Sequence, residues 1–525
     1  MSGRPLRVVL VGYGPVGARF VEELLPSVAD GEATLTVVGA EREDAYNRVL
    51  VAEYAVGAAA RERLDLTDTA AARAAGADIR LGEVAVAIDR ERQRVLLDTG
   101  EELPYDRLVL ATGARANIPT LDGLQHARRD RSAAPGVALD QGARPLPTGV
   151  VALRDLADAE AVAPVVAGGG TIVVLGAGVL GMEFALLAAE HGAQVVVVHH
   201  GPTPMARNLD EPGGRMLSRA ARTLGVGMAA HARAESIGFR DEPSGPVFDG
   251  IGCADGTYIA GDLLVLSCGV GARMELALAA GLACASGILV DEELRSWSDP
   301  DVFALGDCAQ VASPEDAGAD GRVPGAPSGL IGPGWRQAAA LARRLRAEAA
   351  GRSAGADAAV ALRERPAVVM LKATGLDVVA GGDHAADAWD ETAEVAVWLD
   401  RARGAYLKTV VRDDALTGFV SVGLPHAGAE LTLLFERGGA LPAEPSALLR
   451  LDAADDAHVL ADDPEGPEAT VCWCNGVTAG RISEAAAGGC GTVDEVGRET
   501  RAGTGCGGCK GRIASLLAAA QAVPG

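Results

Sequence analysis

Three observations predict an α/β chain in which two Rossmann-like folds are followed by a small α+β middle domain and a small cysteine-bearing C-terminal domain. Short apolar runs, LRVVLV at 6–11 and TIVVL at 171–175, each lead directly into a G-x-G-x-x-G turn and then a helical pattern. Residues 364–436 alternate as short β-rich pieces. Four of the nine cysteines gather near the C-terminus as Cys472-x-Cys474 and Cys506-x-x-Cys509.

At 525 residues the chain is too long for one hydrophobic core, and ordinary domain size argues for three or four domains. A net charge of −24 with no basic block argues against nucleic acid and anionic membrane surfaces as partners. The start, MSGRPLRVVLVGYG, runs straight into a strand and lacks the pattern of a secretory signal, so a cytoplasmic location is expected. The most apolar stretch, TIVVLGAGVLGMEFALLAA, is broken by Glu183 and three glycines and reads as a buried strand followed by a helix, not a membrane span.

The first run ends in Gly12-Tyr13-Gly14-Pro15-Val16-Gly17. There Gly12 permits a tight turn, Gly14 lets backbone approach a pyrophosphate, and Gly17 allows close helix–strand contact. Pro15 suits the first turn of a helix, where its missing donor is not needed. The next strand, TLTVVG, ends near Glu41, at the distance where a carboxylate binds a ribose hydroxyl; an exposed strand-end acid is the plainer alternative. Gly176, Gly178 and Gly181 repeat the pattern, so two fingerprints imply two nucleotides. Two further hydrophobic runs end in small-residue turns, LVLATGA (Thr112, Gly113) and DPDVFALGDCA (Gly306, Asp307).

Four thiolates in two close pairs suit a [2Fe-2S] cluster, two to each iron. Gly503, Gly505, Gly507 and Gly508 let backbone N–H groups approach an anionic cluster, and KGRIASLLAAAQ reads as a helix whose N-terminal dipole faces that charge. A four-cysteine zinc site and two disulfides are the alternatives. The segment VCWCNGVTAGRISEAAAGGCGTVDEVGRETRAGTGCGGCKGRI resembles the bacterioferritin-associated ferredoxin type of [2Fe-2S] domain. That resemblance implies Cys472, Cys474, Cys506 and Cys509 as ligands and leaves Cys490 as a packing residue.

Residues 5–345 resemble the flavoproteins with two dinucleotide-binding domains. The resemblance implies FAD contacts at Gly12, Gly14, Gly17, Glu41, Thr112, Gly113, Gly306 and Asp307, and NAD(P)H contacts at Gly176, Gly178 and Gly181. The FAD domain is then discontinuous (1–122 and 285–350) around an NAD(P)H domain at 150–284. More narrowly, AEREDAYNRVLVAEY, VVHHGPTPMARNLDEPGG and DLLVLSCGVGARMELALAAGL resemble NADH-dependent nitrite reductase large subunits and assimilatory nitrate reductase electron-transfer subunits, which implies Tyr46 and Arg48 along the flavin. Ala52 departs from the serine often found there, and 125–148 reads as an Arg/Gly/Pro-rich insertion. The strand before His199 lacks the terminal carboxylate that marks NAD over NADP, so NADH is favoured by resemblance alone. Glu183 lies where it can touch nicotinamide or flavin, or serve as an ion-pairing helix residue.

The first cysteine is Cys253, which excludes the redox cysteine of the FAD half that disulfide and peroxide reductases use; Cys253, Cys268, Cys284 and Cys308 read as core thiols. GLIGPGWRQAAALARRLRAEAAG reads as the helix closing the FAD domain. Residues 357–440 follow as the α+β interface domain, 441–469 as an acidic linker and 470–520 as the [2Fe-2S] domain. Together these imply an FAD-dependent NAD(P)H oxidoreductase passing electrons through the cluster, and the family resemblance implies a separate molybdenum-containing assimilatory nitrate reductase subunit as the acceptor. The same resemblance implies a separate sirohaem nitrite reductase as the next acceptor, and without a sirohaem module after the cysteine pairs the chain is not expected to reduce nitrite itself. Two further readings stay open: a reductase for another ferredoxin-dependent enzyme such as an oxygenase, and a non-catalytic iron- or cluster-handling or redox-sensing flavoprotein. A homodimer is among the assemblies this leaves open.

Overall fold

A computed structural model describes residues 4–124, 146–318, 321–352, 368–442, 444–452, 466–467, 470–472, 475, 477–504 and 509–522. Most of the insertion at 125–148, together with Cys474 and Cys506, lies outside the described residues.

The first fold opens with β1 (Leu6–Val11), α1 (Pro15–Ala29) and β2 (Ala33–Gly39). Strands β3 (Asp78–Leu81) and β4 (Arg107–Leu110) extend the same sheet, and β1 pairs in parallel with both β2 and β4. A parallel strand covered by helices on both faces must be apolar along its length, as Val8, Val9 and Leu10 are. The second fold repeats the design with β5 (Thr171–Leu175), α2 (Val179–Glu190), β6 (Gln194–Val198), β7 (Val226–Ala229) and β8 (Leu263–Leu266). Its strands are parallel, in the order β7-β6-β5-β8. The chain then returns to the first sheet through β9 (Asp299–Ala304), which pairs in parallel with β4. The first sheet is thus built from segments on both sides of the second fold. The helix α3 (Ile331–Ala349) closes it: Trp335 Nε1 donates to Pro15 O at 3.0 Å, and a Cβ on Gly334 would meet Val16 at 2.6 Å.

The middle lobe is a five-stranded antiparallel sheet from Val368 to Val422, followed by α4 (Pro425–Arg437). One sheet face packs on the second fold through Tyr406, Val420 and Val422, and the other packs on α4 through Phe419 and Leu431. The start of the expected linker differs from its reading. Pro445–Asp452 forms a short helix whose Leu448 is buried in the middle lobe, and the Asp452 carboxylate accepts from the His426 and Ala427 N–H groups at the head of α4. The leucines of 448–451 bury apolar surface that an all-solvated linker would expose; the acidic stretch 453–465 lies outside the described residues.

The C-terminal lobe holds three helices, the last being α5 (Lys510–Ala522), which begins directly after Cys509. Its core is Val471, Cys472, Val477, Ile482, Val496, Cys509, Ile513 and neighbours, all from this lobe. No described helix is long and apolar enough to cross a membrane.

Candidate functional site

The two glycine turns are built alike. Gly12 and Gly176 adopt φ of +110° and +112°, and a Cβ there would lie 2.1 Å from Ala111 O and 2.2 Å from Ser267 O. Any side chain would thus both strain the backbone and strike the neighbouring strand. A Cβ on Gly17 would lie 2.2 Å from Gly12 O, and one on Gly181 would lie 2.3 Å from Gly176 O. The middle glycines are the opposite: Gly178 has open space around its Cβ direction, and Gly14 meets only Arg48 Nε at 3.9 Å. Both are N-caps without a side-chain cap, so the first N–H groups of α1 and α2 are left for an anion. A space next to uncapped helix N-termini fits a dinucleotide pyrophosphate in each fold.

Around the first turn, Tyr46, Arg48 and Glu41 form one unit. The Tyr46 hydroxyl donates to Glu41 Oε2 at 2.9 Å, Arg48 pairs with Glu41 Oε1, and the Arg48 guanidinium stacks 4.9 Å from the centre of the Tyr46 ring. Burial pushes the Tyr46 hydroxyl well above its ordinary range, so it stays a donor. Asn47 between them is fully buried; its Oδ1 accepts from Val49 N–H at 3.1 Å and caps the turn Arg48–Leu50.

Thr112 and Gly113 sit where the chain crosses between folds: Thr112 Oγ1 donates to Arg273 O at 2.8 Å, and Arg273 N–H donates to Gly113 O at 2.9 Å. Gly306 holds φ of +72°, and its N–H donates to Gln337 Oε1 at 2.8 Å. Burial raises the Asp307 carboxyl, while Arg154 and Arg48 pull it back down. Arg154 escaped the sequence reading. Burial lowers its guanidinium, Asp307 opposes that shift, and its buried Nε has no hydrogen-bond partner among the described residues. A half-buried cation whose buried Nε is a spare donor, beside Asp307, suits a polar ligand. No motif in VALRDLADAE marks it, because the site assembles from loops far apart in sequence.

In the second fold Gly176 N–H donates to Val198 O at 2.9 Å, as Gly12 N–H donates to Val38 O at 2.8 Å, so the two strand ends superpose in register. His199 follows Val198 at the ribose end; it is buried, and its Nε2 has no partner among the described residues. Glu183 is half-buried on α2, two residues after Gly181.

In the C-terminal lobe Cys472 and Cys509 share one small core. The Asn475 amide Nδ2 lies 3.7 Å from Cys472 Sγ and donates to Arg501 O at 2.7 Å, tying the segment of the first cysteine pair to the approach of the second. Buried thiols with an N–H donor at sulfur fit an anionic iron–sulfur cluster. Cys490 packs at the edge of that core, and Cys308, fully buried, donates to Leu110 O and Leu305 O. Polar contacts among the described residues join this lobe to the first fold. Arg501 Nη2 pairs with Glu22 Oε2 at 2.7 Å, and Asn47 Nδ2 donates to Thr504 O at 3.1 Å.

Residues 6–326 match the family model for pyridine nucleotide-disulphide oxidoreductases. The chain belongs to that family. Residues 470–519 match the BFD-like [2Fe-2S] binding domain. The chain is 32% identical over 518 residues to the nitrite reductase [NAD(P)H] large subunit of Klebsiella oxytoca, covering 97% of this chain and 48% of the relative. It is 28% identical over 514 residues to the assimilatory nitrate reductase electron transfer subunit of Bacillus subtilis (strain 168), covering 97% of this chain and 59% of the relative. It therefore spans about half the length of these relatives. The putidaredoxin reductase–putidaredoxin complex shares the fold, with a TM-score of 0.66 at 24% identity over 85% of this chain and 96% of that one. As a family member with a BFD-like domain, the protein is an NAD(P)H-dependent oxidoreductase whose cofactors are FAD, NAD(P)H and a [2Fe-2S] cluster.

Proposed function

We propose that this oxidoreductase supplies electrons from NAD(P)H to a separate molybdenum-containing assimilatory nitrate reductase subunit in the cytoplasm. The observation that supports the internal electron path of this reading is the contact of the cysteine-bearing lobe with Asn47, between Tyr46 and Arg48 of the first fold. When bound, FAD accepts a hydride and the cluster carries single electrons onward, which converts a two-electron donor into a one-electron supply. The chain's own work is positioning. Gly12, Gly14, Gly17, Glu41, Tyr46, Arg48, Thr112, Gly113, Gly306 and Asp307 would hold FAD, and Gly176, Gly178 and Gly181 would hold NAD(P)H. Cys472, Cys474, Cys506 and Cys509 would hold the cluster, and Glu183 would lie near the nicotinamide.

The name of the Bacillus subtilis relative supports nitrate reductase as the acceptor. The name of the Klebsiella oxytoca relative, a nitrite reductase large subunit, favours a second reading in which the acceptor is a nitrite reductase, proposed as a separate sirohaem enzyme. Mixing the purified protein and NADH with each acceptor enzyme tests the choice. NADH-driven nitrate turnover is expected, and turnover with nitrite reductase alone would replace the first reading by the second.

A further inference from the structure

We propose that Glu22 and Arg501 form a latch that sets the pose in which the C-terminal lobe receives electrons from the first fold, with Asn47 and Thr504 as its second point. The inference rests on the electron-transfer reading above and assigns to it two positioning residues outside the nucleotide turns.

Arg501 is the C-cap of the helix Val493–Thr500 and adopts φ of +67°, a left-handed conformation that glycine holds without strain and arginine does not. The arginine side chain therefore sits at this position at a backbone cost that glycine would not carry. Its guanidinium reaches Glu22 on α1, 479 residues away in sequence, while its carbonyl is held by Asn475, the residue whose amide approaches Cys472 Sγ. One residue thus links the cysteine-bearing core to the helix that starts at the first glycine turn. The second point is equally direct. Buried Asn47, between Tyr46 and Arg48, donates to the carbonyl of Thr504, two residues before Cys506.

Among the described residues the hydrophobic core of the C-terminal lobe contains no residue of either nucleotide fold, and the described contacts between them are polar. Arg501 is 43% exposed and Glu22 25% exposed, and an ion pair that water reaches is weak and exchangeable. Such a latch orients the lobe for the internal step and still lets it leave for an external acceptor.

The test uses full-length holoprotein in anaerobic stopped-flow with NADH, comparing wild type, Glu22→Arg, Arg501→Glu and the double charge swap. Flavin bleaching is expected to stay within twofold of wild type in all four. Cluster reduction should slow at least tenfold in each single variant and return to within threefold of wild type in the swap. Amide hydrogen exchange across 495–504 should quicken in each single variant and be protected again in the swap. Single variants that reduce the cluster at the wild-type rate, or a swap that restores neither readout, would overturn the latch. A wild-type cluster that stays oxidised while flavin bleaches would instead overturn the underlying electron-transfer reading.

Discussion

Lys408 Nζ lies 3.3 Å from Asp210 Oδ2 where the middle lobe meets the second fold, and both side chains are largely buried. Asp210 also caps the helix Glu211–Thr223 by accepting from Gly213 N–H at 3.1 Å, and the Tyr406 hydroxyl donates to it. Lys408 donates in addition to His384 O at 2.8 Å. One carboxylate thus joins a helix start, a tyrosine and an ammonium across a lobe boundary. Lys408→Met removes the cation and leaves that carboxylate buried, which should cost about 3 kcal/mol, the low end for a broken buried pair because two partners remain. Thermal unfolding followed at the middle lobe measures it, and adding Asp210→Asn should cost less than the sum of the two single changes.

Tyr46→Phe deletes the hydroxyl that orients Glu41 but keeps the ring under Arg48. One lost hydrogen bond of about 0.5–1.5 kcal/mol predicts FAD held roughly 2- to 12-fold more weakly. Titrating the apoprotein with FAD, followed by flavin fluorescence, reads this out. An unchanged dissociation constant would remove Tyr46 and Glu41 from the flavin site.

His199 carries a pH prediction. Burial lowers its pKa, the Gly201 backbone opposes this, and His231, His200 and Arg222 lower it further. The fold favours the neutral ring, so its contribution is present above the ordinary imidazole value of about 6.5 and is lost as pH falls through the depressed folded value. Wild type should lose thermal stability in acid more steeply than His199→Asn. Placing a carboxylate at this ribose end by His199→Glu should favour NADH over NADPH at least tenfold in kcat/KM, about 1.4 kcal/mol.

Cys472→Ser and Cys509→Ser should each lose more than half of the bound iron while keeping FAD, since the core of their lobe shares no residue with the nucleotide folds. Cys490→Ser should keep both. Iron and flavin analysis of the purified variants checks this, and iron loss with Cys490→Ser alone would reassign the ligand set.

The nucleotide turns were legible in the sequence because at Gly12, Gly17, Gly176 and Gly181 a Cβ would strike backbone, so close approach writes itself into residue type. Buried parallel strands were legible for a similar local reason: Val8 to Leu10 must be apolar on both faces. Arg154, the Asp210–Lys408 pair and the Glu22–Arg501 contact were not. Each joins residues distant along the chain, and an arginine or glutamate on a helix looks the same in sequence whether it faces water or another lobe. The helix Pro445–Asp452 was missed because abundant carboxylates around it mask three leucines that bury against the middle lobe.

The central claim is that reducing equivalents entering from NAD(P)H reach the C-terminal cluster inside this chain. Anaerobic titration with NADH, following flavin absorbance and the low-temperature EPR spectrum together, tests it most directly. A rhombic signal from one reduced [2Fe-2S] centre that grows as the flavin bleaches is expected. Fully bleached flavin beside an EPR-silent, zinc-filled C-terminal site would contradict it.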